Sequence, residues 1–144
     1  MIAYVDSSVL ARAYLADEAG HDRAVALMAD PAVALVTGSW TRVEVSGALV
    51  RAARRGRADE KGLLALLDSD LAGPVIVLAA AQEHVERHAL ELVRRYALRA
   101  MDAWHLAVAT VAIPPLLNPG EPKAFASRDA AQLSVAEALG FVPI

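Results

Sequence analysis

Four acids stand where a lone carboxylate is hard to place. Asp6 follows the apolar run Ile2-Ala3-Tyr4-Val5, Glu44 sits among Val43, Val45, Ala48 and Leu49, Asp102 introduces Ala-Trp-His-Leu-Ala-Val-Ala, and Asp129 follows Ala124-Phe125-Ala126-Ser127-Arg128. A carboxylate in apolar surroundings needs a partner. Two bare carboxylates about 4 Å apart repel by roughly 4 kcal/mol at an effective dielectric of about 20, so a site gathering these acids requires protons or a divalent cation. The chain has no cysteine, which excludes disulfides, thiolate ligands and a cysteine nucleophile. An all-oxygen donor set favours Mg²⁺ or Mn²⁺. Taken singly, Asp6 and Asp102 have a plainer reading as helix N-caps, worth about 1 kcal/mol each. His84 and His88 lie one helical turn apart, but Val85 stands where an H-E-x-x-H zinc site carries Glu, and a polar helix face is the simpler reading.

The elements that must position these acids follow from hydrophobic periodicity. Ile2–Val5, Val33–Val36, Val75–Leu78 and Ala124–Ala126 read as short strands, with a last fragment at Phe141–Pro143. Helical spacing begins at Ser7 (Val9, Leu10, Ala13, Tyr14) and recurs over His21–Met28, over Trp40–Arg55 capped by Ser39, and over Asp59–Leu71 and Ala80–Tyr96. A further helix opens near Asp102 and lasts to Pro114-Pro115, and a final one covers Asp129–Leu139. The alternation predicts an α/β fold of three layers, α/β/α, around a mainly parallel sheet of four to five strands. The unbroken apolar run of Val75–Leu78 suits a strand covered on both faces. Asp6 and Asp129 then lie just past strand ends, with Glu44 and Asp102 in first helical turns and Gly47 leaving room beside Glu44. In open α/β sheets ligands bind at that edge.

The chain of 144 residues suits one domain, 1–144. At 56% hydrophobic and 22% charged, it has the composition of a folded core with apolar surface left for a protein partner. It shows no export signal and no run long enough to span a bilayer, so a soluble, cytoplasmic protein is expected. A net charge of −3 argues against coating nucleic acid by bulk charge. Positive charge is nevertheless clustered at Arg51, Arg54, Arg55, Arg57 and Lys61 and at Arg94, Arg95 and Arg99, for which a solvated helix face is an equal reading.

Four segments carry a family likeness: Tyr-Val-Asp6-Ser-Ser-Val-Leu, Val43-Glu44-Val-Ser-Gly-Ala-Leu, Leu98-Arg-Ala-Met-Asp102-Ala-Trp-His-Leu-Ala and Ala-Ser127-Arg-Asp129. Together they resemble PIN-domain ribonucleases, specifically the VapC-type toxins of prokaryotic toxin–antitoxin modules, over nearly the whole chain. The resemblance implies an α/β/α PIN fold with an acidic Mg²⁺- or Mn²⁺-dependent site that cleaves RNA. Asp6, Glu44 and Asp102 match the principal acids. Asp129 matches the fourth, at a longer spacing from Asp102 because of the Pro114–Pro122 loop. Ser7 and Ser127 match hydroxyl positions that orient carboxylates or water, and Arg99 and the Arg54–Arg57 tip are candidates to guide phosphates. On this reading Asp6 and Asp102 hold the cation, Glu44 holds a second cation or positions water, and Asp129 completes the coordination. His105 belongs to the core or packs beside the site. A toxin homodimer and an antitoxin whose C-terminal segment covers the groove are also implied.

Two rivals remain. A phosphatase or dehalogenase with an Asp nucleophile would resemble the haloacid dehalogenase group, which carries a second Asp two residues after the first, where this chain has Ser8. A catalytically silent PIN-like scaffold would have no need of all four acids.

Overall fold

The computed structural model describes residues 1–144. Five strands form one parallel sheet in the order β3-β2-β1-β4-β5: β1 (Ile2–Val5), β2 (Ala34–Gly38), β3 (Val75–Leu78), β4 (Lys123–Ala126) and β5 (Val142–Pro143). Seven helices flank it: α1 (Ser7–Tyr14), α2 (His21–Ala29), α3 (Ser39–Arg54), α4 (Glu60–Leu71), α5 (Gln82–Tyr96), α6 (Ala100–Ala112) and α7 (Ala130–Ala138). The α/β/α arrangement anticipated from the alternation is the one observed.

Side-chain alternation along β1 explains the layers, since successive strand residues face opposite sides of the sheet. Ile2 and Tyr4 enter the apolar layer with Val85 and Leu92 of α5, Leu106 of α6 and Val135 of α7. Ala3 and Val5 enter the other, with Leu10 of α1, Leu49 of α3 and Leu67 of α4. All four β1 residues are buried, as its run of β-formers requires. Each large apolar side chain so buried stabilises the fold by about 1.5–3 kcal/mol.

The chain builds outward from β1 to β2 and β3, then crosses to β4 and β5 on the other side. β1 and β4 therefore flank the topological switch point, where a parallel sheet opens a crevice at its carboxyl edge. Val5 pairs with Ala126, and the Asp6 N–H donates to the Ala126 carbonyl at 3.0 Å. Asp6 and Ser127 consequently leave the sheet side by side.

Three local expectations are corrected. β3 is an edge strand whose Ile76 and Val77 are 56% and 38% exposed, so its apolar run is not covered on both faces. Ser39 is the first residue of α3 rather than its cap; Gly38 occupies the cap position without a side-chain bond, because β2 passes into the helix with no loop. Glu44 accordingly lies in the second turn of α3. Gly38 must lack a side chain for another reason, since a Cβ there would stand 2.7 Å from the Tyr4 hydroxyl. No helix is long and apolar enough to cross a membrane.

Candidate active site

Asp6 follows β1 and caps α1: its Oδ2 accepts from the Ser8 N–H at 2.9 Å. Asp129 follows β4 and caps α7, its Oδ1 accepting from the Gln132 N–H at 2.9 Å. Each cap uses one carboxylate oxygen. The two readings of Asp6, cap and ligand, are thus compatible, because Oδ1 is left facing His105 Nε2 at 3.6 Å. Asp102 lies in the first turn of α6, where its side chain makes no hydrogen bond or ion pair.

The charge of Asp102 is not balanced. Burial is the largest cause that raises the pKa of Asp102, and the neighbouring charges of Asp129 and Asp6 raise it further; Arg99 and His105 offset this only in part. Arg99 itself is exposed at the cap position of α6. A half-buried carboxylate whose charge is penalised by burial and by two neighbouring acids, all hard oxygen donors, suits a divalent cation of the Mg²⁺ or Mn²⁺ type. As the side chains stand, no group of three or more His, Cys, Asp or Glu is arranged to hold a metal ion.

Glu44 joins the site through a histidine. Its Oε2 lies 2.5 Å from His105 Nε2, and the opposite ring nitrogen Nδ1 lies 2.8 Å from the Tyr4 hydroxyl. His105 is 1% exposed, so this chain of bonds runs through the core from β1 across α6 to α3. Burial favours neutral His105, but the bond to Glu44 and the charges of Asp6, Glu44 and Asp102 outweigh it and raise its pKa. Burial likewise acts to raise Glu44, yet the bond and charge of His105, with a smaller contribution from the Ser7 hydroxyl, hold it below its ordinary value. Both shifts favour an ionised pair. The room expected beside Gly47 is taken by the Arg51 guanidinium, 3.0 Å from where a Cβ would stand.

Ser127 and Gln132 join the two aspartate-bearing helices. The Ser127 hydroxyl accepts from the Asp129 N–H at 3.0 Å and donates to Gln132 Oε1 at 2.5 Å. Gln132 Nε2 in turn donates to the Asp102 carbonyl at 3.0 Å, and Gln132 is fully buried. Sequence reading missed this residue, although Asp129-x-x-Gln132 has capping-box spacing. It also missed Tyr4, a hydroxyl in a buried strand that must find a partner. The Arg54–Arg57 tip is corrected as a phosphate guide: Arg57 is held by Asp17 at 2.7 Å and Glu18 at 2.8 Å, and the tip lies at the far ends of α1 and α3. His84 and His88 lie on α5, apart from these acids.

Acids carried to the switch point of a parallel sheet suggest a class, and residues 3–112 match the PIN domain family. The chain belongs to that family, whose members are generally nucleases. The match includes Asp6, Glu44 and Asp102 and ends before Asp129. None of the curated proteins matches the chain.

Proposed function

We propose that the protein is a divalent-metal-dependent endoribonuclease, the VapC-type toxin of a toxin–antitoxin pair. What supports the nuclease reading is the placement of Asp6 and Asp129 just past the ends of the adjacent strands β1 and β4, near enough to Asp102 for their charges to act on it. Asp6 and Asp102 are the proposed principal metal ligands, with Asp129 completing the donor set. When bound, Mg²⁺ or Mn²⁺ supplies Lewis acidity, neutralising charge on the attacked phosphodiester and acidifying the attacking water. The chain's own residues supply position: the capping bonds fix Asp6 and Asp129, and Gln132 ties the first turn of α6 to the end of β4. Glu44, held by His105, is assigned to orienting water or a second cation from the α3 side.

Exposed Trp40 and Val43 of α3, with Ile76 and Val77 of β3, are apolar surface consistent with the proposed homodimer and antitoxin interfaces. The toxin assignment rests on the four sequence segments. The test is incubation of the purified protein with total RNA, with and without Mg²⁺ or Mn²⁺, followed by mapping of new ends. Metal-dependent cleavage that is lost in Asp6→Asn and Asp102→Asn is expected. Metal-independent cleavage, or full activity in either variant, contradicts the proposal.

A further inference from the structure

Beside the aspartates lies a second feature of opposite charge. A pocket of about 580 Å³ opens between α1, α2, the end of β4 and α7, and three arginines, Arg12, Arg23 and Arg128, line it. That volume lies within the usual range of ligand pockets, about 300–1,000 Å³. No Asp or Glu side chain lines the pocket, and none of the three arginines has an ion-pair partner within 4.0 Å. Arg12 Nε is buried and has no hydrogen-bond acceptor. The rest of the wall is largely apolar, with Val9, Leu27 and Leu133.

Local structure holds this arrangement in place. Gly20 adopts φ +88°, and a Cβ there would stand 3.0 Å from an Arg12 terminal nitrogen, so the turn between α1 and α2 lies flat on the guanidinium. Arg128 sits between Ser127, which also lines the pocket, and Asp129, and its N–H donates to the Ser8 hydroxyl at 3.3 Å. A polymer that passes the aspartates therefore reaches the arginines directly.

We infer that this pocket is an RNA subsite, in which the three guanidiniums bind a backbone phosphate next to the cleaved phosphodiester while the apolar wall receives the attached nucleoside. This inference rests on the nuclease reading above. Guanidinium forks match phosphate oxygens bidentately, and an unsatisfied buried Nε is a donor awaiting such an acceptor. The pocket also resolves a conflict of charge: a protein of net charge −3 offers a polyanion local attraction at the one place where its acids would otherwise repel it.

The test is binding of a fluorescein-labelled single-stranded RNA, measured by anisotropy in chelator across a salt series, together with cleavage kinetics in Mn²⁺. Arg23→Gln/Arg128→Gln alters two exposed side chains and is expected to fold; Arg12→Lys probes the third guanidinium separately. The double variant should bind about tenfold or more weakly, with a salt dependence shallower by about 0.7 for each phosphate no longer neutralised. In cleavage, KM should rise while kcat changes little. Arg54→Gln/Arg55→Gln, with equal loss of charge at the far ends of α1 and α3, should bind as the unaltered protein does. Unchanged affinity and salt slope in both pocket variants would overturn the inference, leave the nuclease reading intact and point to a peptide as the occupant. Failure of the unaltered protein to bind or cleave RNA would overturn both.

Discussion

Replacing Glu44 by Gln removes the charge that holds His105 ionised while keeping size and an acceptor oxygen. A hydrogen bond with an ionised partner contributes roughly 1.5–3 kcal/mol and a neutral one about 0.5–1.5, so the substitution forfeits on the order of 1 kcal/mol. The Glu44 side chain is 29% exposed, and solvent screening keeps the loss near that lower figure. For a domain of this size the loss lowers Tm by about 2–4 °C. The pH dependence is more specific. His105 is raised above its ordinary 6.5, so its contribution is complete below that value and disappears as pH rises through the folded-state pKa. Glu44 is lowered from 4.5, so its contribution is complete above that value and disappears as pH falls through the folded-state pKa. Thermal unfolding in chelator should therefore show greatest stability between these two ordinary values and a decline on the alkaline side. Glu44→Gln should flatten that decline. Superimposable curves of Tm against pH for the two proteins would refute the charged pair.

Other outcomes follow from the same geometry. In chelator, Asp102→Asn should stabilise the protein at pH 7, because burial, Asp129 and Asp6 penalise the ionised side chain; differential scanning calorimetry should find the gain gone below pH 3.8. Gly38→Ala places a Cβ 2.7 Å from the Tyr4 hydroxyl and should cost about 1–3 kcal/mol in urea unfolding. Gln132→Leu deprives the buried Ser127 hydroxyl of its acceptor and breaks the tie to the Asp102 carbonyl, and should cost about 1–3 kcal/mol by the same measurement.

What the sequence revealed was local. Ile2–Val5 ending in an acid is a strand delivering a cap, and Ala124–Ala126 before Ser127-Arg128-Asp129 repeats the pattern, so two aspartates could be placed at one sheet edge from their neighbours alone. The long amphipathic runs of α3, α4 and α5 were equally plain. What escaped depends on distant partners. Tyr4 and His105 are 101 residues apart and His105 and Glu44 are 61, so no spacing rule joins them, and the histidine that holds Glu44 was invisible in the sequence. The run Val75–Leu78 shows that β3 is apolar, but its place at the sheet edge follows from strand order, which local pattern does not encode. Ser39 has the chemistry of a cap, yet the direct passage from β2 into α3 gives that position to Gly38.

The central claim is that Asp6, Asp102 and Asp129 form a divalent-cation site, and calorimetric titration of the metal-free protein with Mn²⁺ tests it most directly. Saturable binding by the unaltered protein is expected, weakening at least about tenfold in Asp102→Asn, the one acid of the three whose side chain has no other bond. Equal Mn²⁺ binding by the two proteins, or none by the unaltered protein, would contradict it.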